Sequence, residues 1–264
     1  MLDLRVVQEA EIGIVAGTFV AFVVQEAAHA ALLPMLCARS AGWSPKKRAV
    51  WLNTASSLLH AAVCAAGVGA CASGGGWRAL VDAPLGAATT GSGAVIAFSL
   101  GYFAFDSASM AAKGLFAGAP DMVAHHAVVA LIQALALARG RFHPLVLAML
   151  TAELNSVFLH ARALLRATRE QQDPALCSAA YRATRALLFA SFVPCRFVAH
   201  GWVVYALWAA RAEMGLPMWL VATAAALVVN LLNVQLFQQL LRAETSKKKK
   251  QVEGNSKLAD GKGK

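Results

Sequence analysis

Seven apolar stretches, each roughly the length of a membrane-crossing helix, constrain this chain more than anything else in it. They lie near residues 12–36, 49–73, 93–112, 122–138, 144–162, 186–210 and 216–241. A helix rises about 1.5 Å per residue, so about 20 mostly apolar residues carry it across the hydrocarbon of a bilayer. No water is present there to satisfy backbone N–H and C=O groups, so each run must satisfy its own by coiling into a helix. The expected fold is therefore all-α: a multispanning transmembrane bundle of about seven helices. Composition agrees, since 58% of the 264 residues are hydrophobic and only 14% are charged, whereas soluble domains are nearer a quarter charged.

Charge placement predicts the topology. Putting the C-terminus in the cytosol puts Arg39, Lys46, Lys47, Arg48, Lys113, the arginines from Arg162 to Arg185 and the whole Lys-rich tail inside. It leaves Arg5, Arg78, Arg139, Arg141 and Arg211 outside. That bias follows the positive-inside rule. Residues 1–11 are then extracytosolic, 12–241 form the membrane domain, and 242–264 form a disordered Lys-rich cytosolic tail. The net charge of +10 sits largely at span ends and in the tail. It reads as topology and attraction to anionic lipid, with Lys247, Lys248, Lys249 and Lys250 as the contact, and not as nucleic-acid binding. The run after the acidic start MLDLRVVQEAE is too long for a signal-peptide core, so the first span is expected to stay. The five cysteines form no CxxC pair and no metal-ligand spacing. They are expected to pack as small hydrophobes, and no metal site is expected.

Ionisable groups are costly inside a bilayer and are functional candidates by default. The third span carries Asp106, and the fourth opens with His125 and His126 across the loop 114-GLFAGAP-120. The second carries Asn53, Ser56, Ser57 and His60, with 53, 56/57 and 60 on one helical face. The fifth carries Glu153, Asn155 and His160, and the sixth Arg196 and His200 beside Pro194, which should kink it. In the expected topology these groups gather in the cytosolic half, which suggests a polar cavity opening to the cytosol. Adjacent helical residues point about 100° apart, so one histidine can face that cavity while the other orients a neighbour. Imidazole can accept a proton or an acyl group near neutral pH. His125 and His126 are therefore the catalytic candidates, with Asp106 as the orienting carboxylate. Glu153, Arg196, Asn155, His160, Asn53 and His60 are the candidate substrate-binding set. Glu153 and Arg196 read either as an intramembrane ion pair or, with Arg196 on phosphate, as a headgroup anchor.

The segments 51-WLNTASSLLHAAVCAAG-67, 100-LGYFAFD-106, 121-DMVAHHAVV-129, 152-AELNSVFLHARALL-165 and 196-RFVAHGW-202 resemble the TLC (TRAM-Lag-CLN) domain family. Within it they look most like the TLC domain-containing proteins of the first and second type. The resemblance spans roughly residues 45 to 241. It implies a helical bundle of about seven spans and control of phospholipid acyl composition, and hence fluidity, at the plasma membrane, with the endoplasmic reticulum as the alternative site. Other members are ceramide synthases, in which a catalytic His-His pair is followed in a later span by two aspartates one turn apart. His125 and His126 match that pair. The later span offers Glu153 but no second acid, with Ser156 one turn on. That departure counts against ceramide synthesis and leaves open acyl transfer from acyl-CoA to a different acceptor, such as a lysophospholipid. Ceramide-synthase-like N-acyl transfer and a non-enzymatic lipid-sensing or cargo-binding role are the alternatives.

Overall fold

The computed structural model describes residues 4–73, 76–87, 89–168 and 174–260. The described residues form helices α1 (Leu4–Leu36), α2 (Pro45–Ala72), α3 (Gly76–Asp82), α4 (Thr90–Ala112), α5 (Pro120–Arg139), α6 (His143–Leu150), α7 (Ala152–Thr168), α8 (Pro174–Phe192), α9 (Ala199–Ala209), α10 (Arg211–Met214) and α11 (Leu216–Asp260). A 3₁₀ turn at Ala38–Gly42 follows α1, and a π-helical turn at Val193–Val198 joins α8 to α9. There is no β-strand among them. Seven segments are long and apolar enough to cross a membrane: Gln8–Met35, Pro45–Ala72, Gly91–Ala112, Pro120–Arg139, His143–Thr168, Ser178–Ala209 and Leu216–Thr245. The protein is an all-α, multipass membrane protein.

Local chemistry explains the helix ends. Ser44 caps α2, its Oγ accepting from the Lys47 N–H at 3.2 Å, and Pro45 follows at the first helical position. Thr89 and Ser92 form a reciprocal capping box at the start of α4. The α4–α5 connection turns through Gly114 (φ 65°) and Gly118 (φ 80°), a left-handed backbone that favours glycine. It then enters α5 through Pro120. Gly140 ends α5 at φ 57°.

Two spans are interrupted. α6 and α7 meet at Thr151, whose hydroxyl donates to Ala148 O at 2.7 Å and reaches Cys195 O at 3.2 Å. The sixth span carries Pro194, expected to kink it, and forms the π turn at that place. Proline cannot donate the backbone hydrogen bond an α-helix requires, and a wider turn absorbs the loss.

The outward faces of the spans carry large apolar side chains, with Val198, Tyr205, Trp208 and Leu231 exposed. Burial of apolar surface from water therefore cannot be what joins one span to the next. Close packing does part of the work. Gly101 of α4 lies so near α1 that a Cβ there would stand 2.5 Å from Val15 O and 2.8 Å from Thr18 Cβ. Interhelical polar contacts do the rest, and many of them lie at the face carrying Lys46, Lys113 and Arg162. Arg48 donates to Ala30 O at 2.8 Å. Lys113 pairs with Glu26, and Arg162 with Glu244, which also takes Arg185 at 2.9 Å. Glu244 falls in the segment expected to be a disordered tail. Here it ties α11 to α7 and α8, and the α11 backbone stays helical to Asp260, since no proline or β-branched run interrupts it after Thr245. Two apolar clusters lie toward the other end, around Val68, Ile96, Leu137 and Leu147, and around Leu145, Val203 and Leu207.

Candidate functional site

Many of the polar residues of the spans converge on one cavity of about 490 Å³, within the range of small-molecule sites. Its rim carries Lys46 at the start of α2, Asp121 at the start of α5, His160 on α7 and Gln239 on α11. Its interior is reached by α2, α4, α5, α6, α7, the π turn, α9 and α11. Of the expected site residues, Asp106, His125, His126, Glu153, Arg196, His160, Asn53 and His60 all line it. Asn155 does not. It stands behind the wall, fully buried, and accepts from Arg196.

One wall is built by α2, α4 and α5. Asp106 is 4% exposed and both its carboxylate oxygens are engaged. Oδ1 accepts from Asn53 Nδ2 at 2.5 Å, and Oδ2 meets His126 Nε2 at 2.8 Å. The other ring nitrogen of His126, Nδ1, lies 2.8 Å from Met122 O. A carbonyl can only accept, so Nδ1 carries a proton, and Nε2 is taken up by Asp106. No lone pair of His126 is left for a substrate. Asp106 therefore positions His126 and not His125.

His125 is different. It is half-buried, lines the cavity and makes no side-chain hydrogen bond among the described residues. Its ring packs against Phe103 and His126, each with centroids 5.7 Å away. Phe103 holds both histidines, with its centroid 5.5 Å from that of His126. The pair thus divides as the roughly 100° step along a helix requires. One imidazole is bound into a dyad and the other keeps a free nitrogen toward the cavity.

His60 is buried and stacks on Tyr102 with ring centroids 3.9 Å apart. Its Nε2 lies 3.2 Å from both Ser99 Oγ and Cys64 Sγ, and its Nδ1 stands 3.9 Å from Glu153 Oε2. Tyr102 donates to Ser57 at 2.9 Å. Of the polar face predicted on α2, Asn53, Ser57 and His60 reach the cavity, while Ser56 turns to Gln25 of α1 at 3.0 Å.

The opposite wall is formed by α7, the π turn and α11. The intramembrane ion pair between Glu153 and Arg196 does not form among the described residues. Glu153 turns toward His60, and Arg196 donates to Asn155, Asn233 and Ser156. Asn233, His200 and Ser156 belong to this site and were not in the expected set. Their signal was present in the sequence, as polar residues alone in apolar runs, one turn from Glu153 or Arg196 or on the last span. His200 is held from both sides, Nε2 to Met149 O at 3.1 Å and Nδ1 to Asn233 at 3.2 Å. No three His, Cys, Asp or Glu side chains among the described residues come together as a metal-ion cage. The side chains of Lys247 to Lys250, expected to meet anionic lipid, lie outside the described ones.

The TLC domain profile matches residues 51–242. TLC domain-containing protein 2 of Mus musculus is 30% identical over 183 residues, which is 69% of this chain and 56% of the mouse protein. The protein of the same name from Homo sapiens is 29% identical over 171 residues, 65% of this chain and 61% of its own length. That from Danio rerio is 24% identical over 160 residues, 61% of this chain and 63% of its own. The matched stretch thus covers little more than half of these relatives. No solved structure matches the chain.

Proposed function

This chain belongs to the TLC domain family, and on that footing we propose that it adjusts phospholipid acyl composition, and so membrane fluidity, by acyl transfer from acyl-CoA to a lysophospholipid. The observation that carries the reading is a cavity wall bearing one imidazole, His125, whose nitrogens have no hydrogen-bond partner among the described residues, beside a second locked to a buried carboxylate. The cationic face, with Lys46, Lys113 and Arg162, is cytosolic by the positive-inside rule, and acyl-CoA enters the cavity from there. The plasma membrane is the proposed location, with the endoplasmic reticulum as the alternative.

In the proposed step His125 takes the proton of the lysophospholipid hydroxyl. The hydroxyl oxygen forms a bond to the thioester carbonyl carbon, and the carbonyl π pair moves onto its oxygen. Return of that pair breaks the C–S bond, and the departing thiolate takes the proton from His125. The Asp106–His126 dyad, tied to Asn53, keeps the α4–α5 wall in place so that His125 stays aimed at the cavity. Glu153, His60 and His160 form the polar wall the acceptor passes. Lys247 to Lys250 add attraction to anionic lipid, worth about 1 kcal/mol for each lysine near the surface.

The test uses membranes holding the wild type or His125→Ala, fed labelled oleoyl-CoA with a panel of lysophospholipids and sphinganine, and read by mass spectrometry. The expected result is an acylated lysophospholipid from the wild type that disappears with His125→Ala. A product on sphinganine alone would replace the reading with N-acyl transfer. No product from folded wild type would leave a lipid-binding protein without turnover.

A further inference from the structure

The wall facing the dyad holds a cation with no carboxylate in salt-bridge reach among the described residues. Arg196 is 8% exposed and lines the cavity. Its Nε donates to Asn155 Oδ1, its Nη1 to Asn233 Oδ1 and its Nη2 to Ser156 Oγ, each at 2.8 Å. All three acceptors are neutral, and each is held in turn. Asn155 Nδ2 donates to Leu188 O at 2.8 Å and Ser191 Oγ at 2.9 Å. Asn233 Nδ2 lies 3.2 Å from His200 Nδ1, and Ser156 Oγ donates to Ala152 O at 3.2 Å. The amides therefore cannot turn away from the guanidinium without losing bonds of their own. No carboxylate forms a salt bridge with Arg196 among the described residues; Glu153, whose charge it feels, is turned toward His60 Nδ1 at 3.9 Å.

A guanidinium carries five N–H donors. Three are used by the cage, so two remain unclaimed by the described residues on a side chain that borders the cavity. A buried charge of this kind is costly unless something compensates it. A structural arginine would be expected to face Glu153, only one turn from Ser156. The residue also sits in the π-helical turn Val193–Val198, a backbone form that recurs at functional sites.

We propose that Arg196 and its neutral cage form a receptor for an anionic oxygen inside the cavity. The occupant is the acyl carbonyl oxygen as it gains charge during transfer and, at rest, the carboxylate of a free fatty acid. This deepens the acyl-transfer reading and rests on it for the carbonyl half. Depth selects the ligand. Arg196 lies near the middle of the span Ser178–Ala209, whereas a phospholipid phosphate lies beyond the hydrocarbon edge, about 15 Å from the midplane of a core about 30 Å thick. The acyl end of a substrate therefore reaches Arg196 and the headgroup does not. When the acceptor oxygen bonds to the carbonyl carbon and the π pair moves to oxygen, the two free N–H groups donate to that oxygen. When the pair returns and the C–S bond breaks, Arg196 is left cationic, having gained and lost no proton. Oriented donors of this sort act where charge develops in a water-poor site.

The test uses the full chain in nanodiscs, as wild type, Arg196→Gln and Arg196→Lys. The first readout is competition between oleate and oleyl alcohol, which share a chain and differ in the anionic head. Wild type should favour oleate by roughly tenfold or more, Arg196→Gln should favour neither, and Arg196→Lys should keep part of the preference. The second readout is turnover of oleoyl-CoA with a phosphorylated lysophospholipid and with a neutral monoacylglycerol. Arg196→Gln should lower kcat by roughly 100-fold for both acceptors with little change in acceptor KM. Wild type indifferent between oleate and oleyl alcohol overturns the receptor, as does a variant that raises KM for the phosphorylated acceptor alone, which would make Arg196 a headgroup anchor. If Arg196→Gln fails to fold, Arg196→Lys decides, because a loss of kcat at preserved oleate preference supports the fork geometry and no change in either overturns it. Wild type with no turnover but a clear preference for oleate would sink the acyl-transfer reading and leave the receptor standing.

Discussion

The two walls of the cavity handle charge in opposite ways. On the α4–α5 wall Asp106 meets His126 at 2.8 Å and Asn53 at 2.5 Å, so each oxygen of the carboxylate has a partner. On the facing wall Arg196 has three neutral acceptors and no carboxylate in salt-bridge reach among the described residues. The first arrangement is closed and suits a scaffold. The second is open toward the cavity and suits a ligand. The difference teaches that burial of an ionisable group inside a membrane bundle is not by itself a sign of chemistry. What separates support from site is whether the hydrogen-bonding capacity of the group is already spent.

That comparison can be broken or sharpened by substitution, and the largest effect is expected at Asp106. Asp106→Ala strands His126 and Asn53 in the interior, and removing one partner of a buried pair costs about 3–5 kcal/mol. Unfolding in detergent, followed by heat or denaturant, measures it. Arg196→Met should cost less, about 2–3 kcal/mol, since it breaks three hydrogen bonds but also removes a buried charge that has no salt-bridge partner among the described residues. If Arg196→Met proves as damaging as Asp106→Ala, the two walls are alike and the contrast fails. Asn53→Ala takes one donor from Asp106 and should cost about 1–2 kcal/mol, and a null result there would mean that the His126 contact alone holds the carboxylate.

The smallest change in stability is expected at His125. Its side chain has no hydrogen bond to lose among the described residues, so His125→Ala should cost less than about 1 kcal/mol while lowering acyl transfer roughly 10²–10⁴-fold. His126→Ala, which removes a packed and bonded ring, should show the reverse balance, with stability falling more than any intrinsic rate. Measuring melting and turnover on the same two preparations separates support from site within one dipeptide.

Much of this was legible in the chain itself. Length and apolarity alone delimit the seven spans, because a bilayer accepts little else than a helix that satisfies its own backbone. Residue type alone also picked out Asp106, His125, His126, Glu153 and Arg196, because an ionisable group in such a run is too costly to be incidental. The break at Pro194 was equally visible, although its form, a π turn and not a simple kink, depends on how the helix re-forms its hydrogen bonds around the missing N–H.

Pairing was not legible. Distance along the helices places Asp106, His125 and His126 near one depth but does not say which imidazole the carboxylate takes. That is decided by the packing of α4 on α5, which brings Asp106 Oδ2 to 2.8 Å from His126 Nε2. Glu153 and Arg196 read as a pair from their depths, yet they part because α2 brings His60 to Glu153 while α11 brings Asn233 to Arg196. Glu244, in the segment expected to be a tail, is likewise held by arginines from two other helices. The sequence by itself thus determined which polar groups fall inside the seven apolar spans and at what position along each. Only the tertiary structure decided which of them satisfy one another and which stay open to a ligand. The physical reason is that depth follows from distance along one helix, whereas a hydrogen bond requires two helices to agree within a few tenths of an ångström.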